Sequence, residues 1–271
     1  MKTRLLLVGC GKMGGAMLEG WLARGLNSDN VYIIEQAETA EHLETRLGVH
    51  GITDLADMPE SFVPQVVLFA VKPQVLPDIL ELYKPLVRAE TVFLSVAAGR
   101  TTSFFAKTLG KTARIVRAMP NTPSSVSRGM TVMFPTDYVS TAQRDMCETL
   151  LKAVGEVSWI DDESLMDAVT AVSGSGPAYV FHMVEALAKA GVNAGLPEDQ
   201  AMLLARQTIV GAGFLLDQSP ETAETLRKNV TSPGGTTAAA LNVLMDPQNG
   251  LTDLMTKAVE AARKRSLELA G

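Results

Sequence analysis

Two stretches of the chain place glycines, joined in one of them by proline and hydroxyl residues, where an anion could be held. In the first, V-T-S-P-G-G-T-T-A-A-A-L at Val230–Leu241, Pro233, Gly234 and Gly235 interrupt the chain just before an alanine-rich run of helical composition. Ser232 to Thr236 is therefore expected to be a turn that presents unpaired backbone N–H groups at a helix start. Such amides, together with the positive end of the helix dipole, attract a small anion, and glycines leave the approach free of side chains. The hydroxyls of Thr236 and Thr237 would lie within reach of a ligand resting there. Ser-Pro-Gly-Gly is also ordinary loop punctuation, so taken alone the stretch reads as a capped helix behind a tight turn. The chemical reading gains its weight from residues earlier in the chain.

The second stretch is G-C-G-K-M-G at Gly9–Gly14, preceded by the apolar run Thr3–Val8 and followed by Ala16–Ala23, in which Leu18, Trp21 and Leu22 have helical spacing. Strand, glycine turn and helix is the setting in which a G-x-G-x-x-G pattern binds a dinucleotide. Gly9 makes the turn, Gly11 admits the pyrophosphate, Gly14 lets the helix pack, and the helix start receives the phosphates. Val31–Ile34 reads as a second buried strand ending in Glu35, at about the twenty-residue spacing of the acid that takes the adenosine ribose hydroxyls. An acid there repels a 2′-phosphate and favours NADH; a solvated charge at a strand end is the competing reading.

The elements that must position these residues follow from the same alternation. Val66–Val71 ends in Lys72-Pro73, Thr91–Val96 in Ala97-Ala98-Gly99, and Arg114–Ala118 in Met119-Pro120-Asn121, with helical segments between them. That pattern predicts a doubly wound parallel sheet whose carboxyl-end turns, Ala70–Pro73, Ala97–Gly99 and Pro120–Thr122, line a cofactor cleft. Pro73 has a second reading as a first-turn proline of the following helix. Gly129–Phe134 and Gly155–Ile160, separated by the helical Ala142–Ala153, add further strands.

Beyond Asp161 and Asp162 the period is helical throughout, with helices expected over Leu165–Val172, Ala178–Ala190, Pro197–Leu216, Thr222–Lys228, Thr237–Met245 and Leu251–Leu269. The expected organisation is α/β: a Rossmann-type domain over residues 1–160 and an all-α domain over 161–271. Ala178–Ala190 and Ile209–Leu216 carry apolar residues around much of their circumference, so each is either central or buried against another subunit.

A net charge of −6 and a pI near 5.2 argue against a nucleic-acid partner. No segment is long enough for a membrane span, and the N-terminal apolar run is too short for a signal peptide, so a cytoplasmic protein is expected. Cys10 and Cys147 lack metal-ligand spacing and read as small packed residues, which leaves no metal or disulfide to propose. His42, His50 and His182 read as a surface helix, a loop and a packed helix residue, none of them catalytic.

The glycine pattern, A-V-K-P at Ala70–Pro73, S-G-S-G-P-A-Y at Ser173–Tyr179 and V-T-S-P-G-G-T-T at Val230–Thr237 together resemble the pyrroline-5-carboxylate reductase family, and the likeness runs nearly end to end. The resemblance implies a Rossmann domain followed by a helical dimerisation domain, and reduction of 1-pyrroline-5-carboxylate to L-proline with NADPH or NADH. It also implies a homodimer able to assemble further, in which the helical domain of one subunit completes the other's active site. Position by position, Ser232, Gly234, Gly235, Thr236 and Thr237 match the substrate loop, and Gly9, Gly11, Lys12, Met13, Ala70, Val71, Lys72, Pro73, Ala97 and Ala98 match the cofactor contacts. Many members carry a small polar residue, often followed by a basic one, where this chain has Glu35 and Gln36. That departure makes NADH a serious candidate against the family's NADPH habit.

The implied chemistry suits a chain without an evident acid, because a pyrroline can enter as the iminium and accept hydride at carbon. The substrate carboxylate would rest on the amides around Gly235 and Thr236, and the Thr237 hydroxyl would meet the ring nitrogen. A 3-hydroxyacid dehydrogenase has a similar layout, but its lysine and following amide would fall at Val180 and Val184, which cannot take an alcohol proton. A regulatory module that binds NAD(P)H without turnover is the third reading; it has no use for a second anion site.

Overall fold

Short apolar runs flanked by turns make the sheet of the first part of the chain. In the computed structural model, which describes residues 3–270, the strands are β1 (Leu5–Val8), β2 (Val31–Ile34), β3 (His50–Ile52), β4 (Val66–Phe69), β5 (Val92–Ser95), β6 (Ile115–Met119), β7 (Gly129–Pro135) and β8 (Gly155–Trp159). They lie in the order β3-β2-β1-β4-β5-β6-β7-β8. Between them run α1 (Lys12–Ala23), α2 (Ala37–Leu47), the single turn α3 (Leu76–Ile79), α4 (Thr102–Leu109) and α5 (Thr141–Leu151). Every residue of β1, β4 and β5 is buried, as strands covered by helices on both faces must be. One face packs Met17, Leu18 and Trp21 of α1, and the other packs Phe69, Tyr83, Phe93 and Phe105. Helix starts are fixed locally: the Thr101 hydroxyl accepts from the Phe104 amide, and Ser140 with Gln143 forms a reciprocal cap on α5.

The sheet departs from the expected all-parallel form at one edge. β1 to β6 are mutually parallel, but β7 runs antiparallel to β6, and β8 is parallel to β7. The connection from β6 to β7 is a short 3-10 helix, Thr122–Val126, which reverses the chain instead of crossing over it. β3 was not expected: His50 sits in this strand, not in a loop, and its ring stacks on Tyr32 of β2 at 4.5 Å. Pro73 does not start a helix; it lies in a turn closed by Val75 N–H to Lys72 O, and Pro77 is the proline in the first turn of α3.

Among the described residues, 3–174 together with 263–270 form one compact unit, and 175–262 form the other. The first unit closes with a 3-10 turn at Glu163–Leu165, α6 (Met166–Val169) and a π-helical turn at Thr170–Gly174, where one regular helix over Leu165–Val172 was expected. There Ser266 Oγ donates to Asp167 Oδ1 at 2.6 Å, both side chains being buried.

The second unit is all helical: α7 (Gly176–Asn193), α8 (Glu198–Gln218), α9 (Ala223–Asn229), α10 (Thr236–Leu244) and most of α11 (Leu251–Ala270). Pro177 lies in the first turn of α7, where its missing N–H is harmless. Helices α7 and α8 approach through small residues: Ala188, Ala201 and Ala205 are buried, and a Cβ on Gly191 would stand 3.2 Å from that of Ala201. Large apolar side chains remain uncovered, among them Phe181 at 64%, Leu203 at 66% and Phe214 at 61% exposure. His182, expected in a packed helix, is exposed, with Nδ1 2.9 Å from Glu185 Oε2.

Candidate active site

The glycine turn after β1 is built as a dinucleotide pyrophosphate needs it. Gly9 has φ +86°, a left-handed conformation that favours glycine, and a Cβ there would stand 2.6 Å from Val71 Cγ1. A Cβ on Gly14 would stand 2.6 Å from the Gly9 carbonyl oxygen, so the absence of a side chain lets α1 begin directly under the turn. A Cβ on Gly11 would meet nothing within 4 Å: it would project into open space at the helix start. Gly11 is the residue before α1 and no side chain caps that helix, which leaves its first amides for a ligand. These three observations fit the residues to the pyrophosphate that the sequence implies.

The remaining turns gather around it at the carboxyl ends of the parallel strands. Gly9 N–H donates to Ile34 O at 3.0 Å, Ala70 N–H to Val8 O at 2.8 Å and Val96 N–H to Phe69 O at 3.1 Å. The ladder thus carries Gly9, Glu35, Ala70–Pro73 and Ala97–Ala98 to one edge of the sheet. Lys12 and Met13 are the first two residues of α1, Lys12 exposed and Met13 packed against the core. Arg100 Nε donates to Pro73 O at 3.1 Å and its guanidinium lies 4.8 Å from the Phe104 ring, which ties the turn after β5 to the turn after β4.

Glu35 is engaged with the glycine turn itself. Its Oε1 accepts the Cys10 N–H at 2.7 Å and its Oε2 accepts the Gln36 N–H at 3.0 Å. Burial, with the Glu35 carboxylate adding to it, pushes the Cys10 thiol up to about 11, so the sulfur stays protonated and unreactive at neutral pH.

Asn121 and Arg117 hold the far end of the sheet; Asn121 was expected only as part of a cleft-lining turn, Pro120–Thr122, and Arg117 was assigned no role in the site. Asn121 Oδ1 accepts the Met130 N–H at 2.9 Å, while Nδ2 donates to both Ser173 O and Ser173 Oγ at 3.3 Å. The Met119-Pro120-Asn121 turn is thereby tied to the start of the S-G-S-G run, where a Cβ on Gly174 would come within 2.5 Å of Met119 Cε. Arg117, whose side chain is 6% exposed, gives Nη1 to Glu163 Oε1 at 3.0 Å; the same carboxylate accepts Thr102 N–H at 2.8 Å and Thr102 Oγ1–H at 2.6 Å. A lone arginine inside the apolar run I-V-R-A-M was the available signal, since a buried guanidinium requires a partner.

In the helical unit, α10 begins at Thr236 with Gly235 before it, and no side chain caps it. The first intrahelical bond is Ala239 N–H to Gly235 O at 3.2 Å, which leaves the amides of Thr236, Thr237 and Ala238 ahead of the ladder. Gly234 takes φ +72°, and the Gly235 N–H turns inward to Ser232 O at 3.0 Å. The amides outside the ladder at this helix start are therefore those from Thr236 onward, and Gly235 contributes backbone shape. Thr236 is exposed and Thr237 half-buried.

Comparison with known proteins adds a direct likeness. A family model described as pyrroline-5-carboxylate reductase dimerisation matches residues 163–269, and one described as NADP oxidoreductase, coenzyme F420-dependent, matches residues 4–99. A pyrroline-5-carboxylate reductase of Pseudomonas aeruginosa is 36% identical over 269 residues, covering 98% of this chain and 97% of that protein. Among solved structures, a pyrroline-5-carboxylate reductase from Coxiella burnetii superposes with a TM-score of 0.93 at 35% identity, covering 100% of both chains. A pyrroline carboxylate reductase of Plasmodium falciparum, solved with NADP bound, superposes with a TM-score of 0.79 at 27% identity, covering 99% of this chain and 98% of that one.

Proposed function

The chain belongs to the pyrroline-5-carboxylate reductase family, and from that premise we propose that it reduces 1-pyrroline-5-carboxylate to L-proline with NAD(P)H, the last step of proline biosynthesis. The observation that carries this reading is the uncapped start of α10, where two threonine hydroxyls accompany three amides that precede the helix ladder. A carboxylate resting on the amides of Thr236, Thr237 and Ala238 is stabilised by charge-assisted hydrogen bonds and by the helix dipole. With the ring anchored by its carboxylate, the Thr237 hydroxyl oxygen accepts the iminium N–H and orients the C=N carbon. When bound, a reduced nicotinamide dinucleotide, its pyrophosphate held at the glycine turn, would supply the hydride. The nitrogen keeps its proton throughout, so the residues are asked for position and electrostatics and for no proton transfer. Gly9, Gly11, Gly14, Lys12 and Met13 hold the pyrophosphate in this reading, and Ala70–Pro73 with Ala97–Ala98 line the cofactor.

Several features support the reading against its rivals. Val180 and Val184 on α7 offer no base for an alcohol substrate, which sets the hydroxyacid dehydrogenases aside. The exposed Phe181, Leu203 and Phe214 suit a homo-oligomer, and we read it as a dimer whose copies can assemble further. Among the described residues no helix is long and apolar enough to cross a membrane, and the two cysteines are free, which suits work in the reducing cytoplasm.

The test is Thr237→Ala, assayed by steady-state kinetics with each ligand varied in turn. Turnover should fall on the order of tenfold or more while cofactor affinity stays near that of the wild type, as for loss of one hydrogen bond to a charged group. Unchanged turnover would remove Thr237 from the mechanism.

A further inference from the structure

A cavity of about 230 Å³ opens beyond the carboxyl ends of β1, β2 and β3, beside the glycine turn. Its walls are apolar, with Val71, Val75, Ile79 and Leu82 among them, and its charged lining residues are Glu35 and Asp54; among the described residues no lysine or arginine lines it. In a doubly wound sheet this is where the adenosine half of a dinucleotide lies once the pyrophosphate is on the turn. The apolar walls suit a purine, and the carboxylates face what its ribose carries.

We infer that this cavity selects a dinucleotide with a free 2′-hydroxyl, NADH, against one with a 2′-phosphate, NADPH, with Glu35 and Asp54 as the specificity-determining carboxylates and the Cys10 amide as the clamp that aims Glu35. The inference rests on the reading that the chain binds a nicotinamide dinucleotide. Glu35 is already anchored at both oxygens, by Cys10 N–H at 2.7 Å and Gln36 N–H at 3.0 Å. A carboxylate has about four acceptor sites, so each oxygen keeps one for a ribose hydroxyl. A 2′-phosphate offers acceptors where this acid needs donors, and it brings close to two negative charges.

The usual refuge for a 2′-phosphate, the start of the helix after the second strand, is also occupied by acids. The Gln36 N–H there is taken by Glu35, and Glu38 stands in the first turn of α2. Asp54 is fixed by accepting the Ala56 N–H at 2.9 Å, as the cap of a short 3-10 turn. The cation felt at Cys10, Arg46, is held by Glu19 at 2.7 Å on the surface and is not among the cavity residues.

The experiment is calorimetric titration of the full chain with ADP-ribose and 2′-phospho-ADP-ribose, and with NADH and NADPH, none of which requires turnover. The wild type should bind the forms lacking the 2′-phosphate at least about tenfold more tightly, as expected for like charges meeting near a protein surface. Glu35→Gln keeps an oxygen for the Cys10 amide but removes the charge; it should bring the ratio down on the order of tenfold, mainly by tightening the phosphorylated ligands. Asp54→Asn, which keeps the Ala56 bond, should move the ratio the same way by less. Equal or tighter binding of the 2′-phosphorylated ligands by the wild type, or an unchanged ratio in Glu35→Gln, overturns the inference alone. Binding of none of the four ligands sinks the reductase reading and this inference with it.

Discussion

Two glycines in one turn should respond to the same substitution in opposite ways. In Gly14→Ala the new methyl would stand 2.6 Å from the Gly9 carbonyl oxygen, a backbone atom held within a tight turn, and 3.3 Å from Ala70 Cβ. Overpacking of this kind costs about 3 kcal/mol, and the better helix propensity of alanine returns about 1 kcal/mol. The net loss of about 2 kcal/mol lowers the melting temperature by about 4–8 °C in a chain of this size. In Gly11→Ala the methyl meets nothing within 4 Å. Alanine is the poorer residue at a helix start by about 0.5–1 kcal/mol, and it lowers the entropy of the unfolded chain by a similar about 0.4–1 kcal/mol, so stability should barely change. The methyl instead fills the approach to the α1 amides, each worth about 1.5–3 kcal/mol to a charged ligand, so the cofactor dissociation constant should rise about ten- to hundredfold. Thermal melts and titration of reduced-nicotinamide fluorescence, run on both variants, separate the two effects. Wild-type affinity in Gly11→Ala would refute close backbone approach of the pyrophosphate, and a wild-type melt in Gly14→Ala would refute the packing role.

Three further outcomes follow from other parts of the molecule. Glu163→Ala strands the Arg117 guanidinium, whose side chain is 6% exposed, and should cost about 3 kcal/mol in urea denaturation, with much of it recovered in the double variant Arg117→Met/Glu163→Ala; a loss below about 1 kcal/mol would contradict the buried-pair account. The Glu148 carboxyl is held below its usual 4.5 by hydrogen bonds from Lys152 and Trp159, so its stabilisation is complete above that value and is lost as the pH falls through the lower folded-state value. Melting curves of the wild type and Glu148→Gln should therefore differ at pH 7 and converge on acidification; a constant gap would exclude the carboxylate as the cause. Phe214→Glu places a charge at a side chain of α8 that is 61% exposed and should shift sedimentation towards the monomer, whereas an unchanged oligomer would move the interface elsewhere.

The sequence made legible those features whose cause is local. The strands β1 and β2 and the helix breaks at Pro177 and Pro197 were set by short-range periodicity and backbone chemistry, and the structure places them within one or two residues, whereas α1 begins at Lys12, four residues before the expected Ala16. β3 escaped because His50-Gly51-Ile52 has no apolar run; it forms through pairing with Tyr32–Ile34, and a side chain at Gly51 would collide with the Ala40 backbone. The reversed direction of β7 is invisible in composition, since strand direction is decided by the length and shape of the connection at Thr122–Val126. The uncapped start of α10 was readable from Pro233 to Thr237, but the inward turn of the Gly235 amide depends on the left-handed Gly234. The tie from Glu35 to the Cys10 amide and the place of Asp54 in the same cavity are products of the parallel register, which brings together residues far apart in the chain.

The most direct test of the account is to add 1-pyrroline-5-carboxylate to the purified chain with NADH or NADPH, following loss of reduced-nicotinamide absorbance and appearance of proline. The account predicts oxidation that depends on the imine, with one proline formed per cofactor consumed. Folded protein that binds the cofactor yet leaves it unoxidised in the presence of the imine would contradict it and favour a nucleotide-sensing module.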